Sequence, residues 1–161
     1  MTINILAYDE SHRANVIMLS LRCWKPVFAK LKAAVPAFVY NAFYPDGWAA
    51  RQSADIAAIL DSEADHVLVA VDGDTVAGWI GIRLHPEDHM GEIHILAVDP
   101  NRQREGIASG LMRSAYAAMR EAGMAIVMVE TGDDPGHAAS RAIYESQGFE
   151  RWPVARYFKP L

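Results

Sequence analysis

The chain has a single cysteine, Cys23, in 161 residues. That excludes an internal disulfide and any zinc cluster built on cysteines. Cys23 lies in an apolar helical stretch, where a buried, inert thiol is expected. Runs of lysine or arginine are also missing. Basic residues number 15 against 20 acidic ones, for a net charge of −5, a balance that argues against a nucleic-acid partner. No apolar run approaches the ~20 residues of a membrane span, and no charged leader precedes an apolar stretch at the N-terminus. A membrane partner is therefore not expected, and the cytoplasm is the expected compartment. Repeats, low-complexity tracts and linkers are absent as well. What remains is 52% apolar and 22% charged, enough for one α/β domain with a sizeable core.

The most informative stretch is Gly91 to Ser114, GEIHILAVDPNRQREGIASGLMRS. Its first eight residues read as a strand that Val98-Asp99-Pro100 ends. Gln103, Arg104, Glu105, Gly106, Ile107, Ala108 and Ser109 then turn the chain into a helix. Backbone N–H groups in a first helical turn lack intrahelical partners, and the helix dipole adds positive charge there. Small residues at Gly106 and Ala108 leave those groups open to a pyrophosphate. A P-loop would need Gly-Lys-Ser/Thr at this point, and no lysine is present. Gly106 and Gly110 do not give the G-x-G-x-x-G spacing of a dinucleotide site.

Elsewhere, periodicity and turn signals predict a strand over Thr2 to Tyr8 and a helix to about Trp24. Pro26 is expected to open a second helix, and Pro36 to interrupt it before an aromatic stretch to Tyr44. A helix is predicted over Trp48 to Asp61. Strands over His66 to Val71 and Thr75 to Leu84 flank an Asp72-Gly73-Asp74 turn, and with the strand from Gly91 they make an antiparallel meander. A helix ending at Gly123 follows, then a buried-type strand over Met124 to Glu130, a helix over Ala138 to Gln147, and a last hairpin including Val154 to Phe158.

The run Val98, Pro100, Gln103, Gly106, Ala108 resembles motif A of the GNAT family of N-acetyltransferases, whose centre is (Q/R)-x-x-G-x-(G/A). His137 to Phe149 resembles its motif B, N-x-x-A-x-x-L-Y-x-x-x-G-F, through Tyr144, Gly148 and Phe149, with His137 in place of asparagine and Ser140 in place of alanine. The resemblance implies a single-domain α/β fold with a mixed, mostly antiparallel sheet flanked by helices and a splayed strand pair holding pantetheine. It implies a division into residues 1–65, on the acceptor side, and 66–161, the acetyl-CoA core and C-terminal hairpin. Acetyl-CoA is the implied donor, and a small-molecule or peptide amine the implied acceptor. Pairing of two copies through their sheets is a further expectation.

By the same resemblance, backbone groups of Leu96, Ala97 and Val98 pair with pantetheine, residues 103–109 hold phosphates, and His137, Arg141 and Tyr144 add donor-side contacts. Glu92 stands eleven residues before Gln103, in the register of a glutamate base in the histone-acetylating branch. His94 shares its strand face, and Ile93 and Ile95 take the other; either polar residue, or a water chain, can move the acceptor's proton. Tyr144 is the expected proton donor to the leaving thiolate. Tyr40, Tyr44 and Trp48 are the expected acceptor-pocket aromatics, with Trp152 and Tyr157 on its far wall. His85, His89 and His94 have metal-ligand chemistry, but Pro86 works against aligning them, and no metal is expected. The competing reading is a non-catalytic acyl-CoA-binding module, or an acyltransferase with another acceptor or chain length.

Overall fold

A computed structural model of the chain describes residues 2–161. Five strands lie in the order β1-β2-β3-β4-β5: β1 Asn4–Ala7, β2 Val67–Asp72, β3 Thr75–His85, β4 Met90–Val98 and β5 Ile126–Val129. The first four pair antiparallel and β5 pairs parallel with β4. Helices α1 (Arg13–Ala34), α2 (Ala37–Phe43) and α3 (Trp48–Ser62) precede the meander; α4 (Ile107–Glu121) and α5 (Ala138–Ser146) follow β4 and β5.

The strands bury both faces, so two apolar layers form. Val16 and Leu19 of α1 and Ile56, Ile59 and Leu60 of α3 pack on Val67, Val69 and Trp79. Ile107, Leu111, Ala115 and Met119 of α4 pack on Ile80, Ile82 and Ile93 across the sheet. A hydrogen bond ties the first layer together: Trp79 Nε1 donates to Ser20 Oγ at 2.8 Å, and Ser20 donates to the Val16 carbonyl at 2.7 Å. On the second face Gly78 lets α4 lie close, since a Cβ there would come within 3.0 Å of the Ala97 carbonyl and Ile107.

Four sequence expectations are corrected. Pro26 opens no new helix; α1 runs through it as one 22-residue element. The proline removes one backbone bond, and burial of Val16, Leu19 and Phe28 along the same helix holds it together. Ile93 and Ile95 do not share a face. Gly81 pairs with Ile95 and Ile82 with Ile93, which leaves His94 as a bulge that resets the alternation. Ile93 then packs under α4 and Ile95 against the α1–α3 layer. The strand after α4 is not buried: β5 is the outer strand and Ile126 is 59% exposed. Finally, the C-terminal hairpin does not form, since residues after Gly148 adopt no regular structure. Trp152 and Tyr157 are 84% and 90% exposed there.

Candidate active site

The β4–α4 junction is a rigid, outward-facing turn. The Asp99 N–H donates to the Ala77 carbonyl at 2.8 Å, and its carboxylate accepts from the Asn101 N–H at 2.9 Å and from Arg22 at 3.0 Å. Arg102 is consumed internally, paired with Asp72 at 3.0 Å and Glu105 at 2.8 Å. Arg104 and Gly106 both take left-handed backbone angles, φ 69° and 79°. Gly106 therefore ends the turn with no side chain capping α4, and a Cβ built on it meets nothing within 4 Å. The first-turn N–H groups, those of Ile107, Ala108 and Ser109 among them, have neither an intrahelical partner nor a side-chain cap at the positive end of a 15-residue helix. Those features suit a phosphate-bearing ligand.

Beside this turn the sheet splays. β5 pairs with β4 only from Met90 to Ile93, while β4 continues to Val98 along β3. The β5-side edge of Leu96, Ala97 and Val98 thus has no strand partner. Unpaired strand edges accept extended ligands by backbone hydrogen bonding. At the end of that edge α1 closes on the strand: Cys23 Sγ donates to the Val98 carbonyl at 3.2 Å. Burial pushes this thiol up to about 12, so it stays protonated and un-nucleophilic near neutral pH.

Glu92 lies on β4, with its side chain 16% exposed. His85 Nε2 is 2.7 Å from Glu92 Oε2, whereas His94 Nδ1 stands 3.6 Å from Oε1, beyond hydrogen-bond reach. Directly across the ladder from Glu92 is Arg83. Its guanidinium turns away, giving two hydrogen bonds of 2.9 and 2.7 Å to Glu63. That pairing holds the Glu63 carboxyl below its ordinary range and raises Arg83. Sequence reasoning brought Glu92 and His94 together but missed His85, Arg83 and Glu63. The missing signal was the β3–β4 register, which makes His85 a diagonal neighbour of Glu92.

On α5, Tyr144 packs in the α4 layer, its ring edge-on to Phe149 at 5.7 Å. Burial raises its phenol to about 12. Arg141 does not point to the α4 turn: its guanidinium donates to the carbonyls of Gly132 and Asp134, each at 2.7 Å. The expected phosphate contact gives way to a structural one, because that loop's carbonyls have no ladder partner. His137 Nδ1 is held 2.6 Å from Asp134 Oδ2, and this loop packs on α1, where a Cβ on Gly136 would lie 2.6 Å from the Val27 carbonyl.

Tyr40, Tyr44 and Trp48 do come together, around Phe28. Trp48 stacks on Phe28 at 4.8 Å, and Tyr44 lies 5.2 Å from Phe28 and 4.9 Å from Tyr40. Tyr40 is buried in this cluster. A cavity of about 300 Å³ beside it is lined instead by Phe43, Gly47, Ala50 and Arg51. Among the described residues no helix is long and apolar enough to cross a membrane.

The chain matches the family model described as acetyltransferase (GNAT) family over residues 37–149. It is 33% identical over 87 residues to a mycothiol acetyltransferase from Kocuria rhizophila, covering 52% of this chain and 28% of that protein. It is also 33% identical over 103 residues to the N-alpha-acetyltransferase RimI of Mycobacterium tuberculosis, covering 62% and 61%. The chain thus spans less than two thirds of either relative. Among solved structures, it superposes on aminoglycoside N-acetyltransferase AAC(6')-Iy in complex with CoA with a TM-score of 0.67 at 15% identity, covering 99% and 95%. The PaiA N-acetyltransferase of Thermoplasma acidophilum, in complex with coenzyme A, gives 0.69 at 15% identity, covering 96% and 94%. The family match runs from α2 through the splay and the open end of α4 to the Phe149 that packs on Tyr144, and on that extent the chain belongs to the GNAT acetyltransferase family.

Proposed function

We propose that the protein is an N-acetyltransferase that moves acetyl from acetyl-CoA to a primary amine by direct attack in a ternary complex. The observation that carries this is the uncapped, glycine-led N-terminus of α4 at the end of a strand whose outer edge has no strand partner. A negatively charged diphosphate suits the first, and the amides of a pantetheine arm suit the second. In this reading residues 1–65 build the acceptor side and 66–161 the donor side. Tyr40, Tyr44 and Trp48 shape the acceptor's approach, and the cytoplasm is where the protein works.

The chemistry follows from the groups around the splay. An alkyl ammonium, with a pKa near ~10.4, must lose a proton before its nitrogen can attack the thioester carbonyl. Glu92 takes that proton, directly or through water, and His94, 3.6 Å from its Oε1, is the other group within relay distance. As the C–N bond forms, charge grows on the acetyl oxygen, and a strand N–H of Leu96 to Val98 is the donor in reach. The C–S bond then breaks, the departing thiolate takes a proton from Tyr144, whose raised phenol is protonated near neutral pH, and the proton lost by the new amide nitrogen restores the phenol. The un-ionised Cys23 supports direct transfer over a covalent acyl-enzyme.

The comparisons support nitrogen as the acetylated atom, since an N-alpha-acetyltransferase and an aminoglycoside N-acetyltransferase are among the similar proteins. The test is release of free CoA thiol from acetyl-CoA with a panel comprising polyamines, amino acids, aminoglycosides and N-terminal peptides. Acceptor-dependent release with at least one amine is the expected result. Tight CoA binding with no release on any acceptor would identify a binding module instead.

A further inference from the structure

We infer that His85 is a positioning residue for the Glu92 base, an inference that rests on the catalytic reading above. Three observations carry it. His85 Nε2 is the one described side-chain donor hydrogen-bonded to Glu92, at 2.7 Å. An ionised carboxylate offers only acceptors, so Nε2 carries the hydrogen and donates. Secondly, the cation best placed to compete is withdrawn. Arg83 faces Glu92 across the ladder but is held by Glu63 through both oxygens, so Glu92 keeps a proton-accepting oxygen that is not bound in an ion pair. Thirdly, His94 sits in the bulge at 3.6 Å from Oε1, near enough for a water but too far to orient the carboxylate.

The arrangement divides the carboxylate between two tasks. Oε2 is anchored by His85, which reaches over from β3. Oε1 is left toward His94 to receive the proton. The other charged groups around His85 are Glu87, 3.8 Å from its Nδ1, and the Arg83–Glu63 pair. Without the anchor, the Glu92 side chain regains its rotamers and can swing to Arg83, and the base is lost from its productive position. Misplacing a reacting group by about 1 Å costs on the order of a hundredfold in rate.

The test is a mutant cycle of His85→Ala, Glu92→Gln and the double variant, with His85→Gln as the conservative replacement. Each is assayed for kcat, KM for both substrates, CoA affinity and melting temperature, using a strongly basic acceptor. His85→Ala should lower kcat roughly ten- to a hundredfold with CoA affinity unchanged. His85→Gln retains a side-chain N–H and should recover most of the rate. In the Glu92→Gln background, His85→Ala should cost nothing further, because its effect passes through Glu92. Additive losses in that background, or full activity in His85→Ala, would overturn the inference while leaving the base in place. Wild-type turnover in Glu92→Gln alone would instead remove the base, and the positioning role with it.

Discussion

Gly106 and Tyr144 bear most directly on the donor site, for opposite reasons. At Gly106 the constraint is the backbone. Its φ of 79° belongs to the region L side chains avoid, and β-branched ones avoid most. Gly106→Val would strain the turn and screen the first-turn N–H groups. The expected outcome is a rise in CoA Kd of well over tenfold, about 1.4 kcal/mol or more, measured by calorimetry; unchanged affinity in a folded variant would place the phosphate cradle elsewhere. At Tyr144 the constraint is chemical. The ring is packed, yet its hydroxyl has no hydrogen-bond partner among the described residues, where no buried side-chain polar atom is left unpaired. The hydroxyl therefore opens on accessible space, and deleting it costs the fold little. Tyr144→Phe should melt near the wild-type temperature but turn over ~10²-fold more slowly. A lower melting temperature with normal kcat would make it a core tyrosine only.

Two elements set the geometry around β4. The first is α1, which continues through Pro26 because its inner face is buried in the α1–α3 layer. Local propensity would have ended it there, and the local signal misled. Ser20 fastens this helix to β3 through the wholly buried Trp79. Ser20→Ala leaves that indole N–H unpaired, a cost of about 1–3 kcal/mol. At ~2–4 °C per kcal/mol for a domain of this size, the drop is readable by scanning calorimetry, and an unchanged melting temperature would mean that the bond contributes nothing. The second element is β4 itself. Its position was legible from sequence to within one residue, but the His94 bulge was not. A bulge arises from pairing with a partner strand: Gly81, whose Cβ would lie 2.9 Å from Ile95, makes the room. Period-two reasoning on one strand cannot detect it.

As a whole, the molecule is a sheet covered on both faces, and two acidic groups hold segments that border that frame. Glu63 joins the end of α3 to β3 through Arg83, and Asp134 holds the loop before α5 through His137 and the Gly136 N–H. Both carboxyls are held below their ordinary values of 4.5 and 3.8; for Asp134, burial opposes this and the His137 and backbone bonds outweigh it. Each therefore favours the folded state fully above its unfolded value, and that contribution is lost as pH falls through the depressed folded value. The melting temperature should be insensitive to these groups between about pH 6 and 8 and fall with acidification below about 4.5. Asp134→Asn should flatten part of that acid slope. A slope identical to wild type would show that Asp134 protonates alike in both states.

The sequence by itself determined the family, the strand–turn–helix around Gly106, the meander, and the presence of Glu92 and His94 on one strand. These are local properties: turn glycines, helix starts and alternation depend on residues within a few positions of each other, so they survive without a fold. Tertiary structure alone decided what the charged groups do. Whether Arg83 meets Glu92 or Glu63, whether Arg141 serves a ligand or the carbonyls of Gly132 and Asp134, and which histidine reaches the base all depend on strand register and helix packing. Those contacts join residues as far apart in the chain as Glu63 and Arg83. The same holds for the C-terminal stretch, whose alternating apolar residues suit a strand. With no pairing formed, it takes no regular structure and stays exposed, because a strand exists only against a partner.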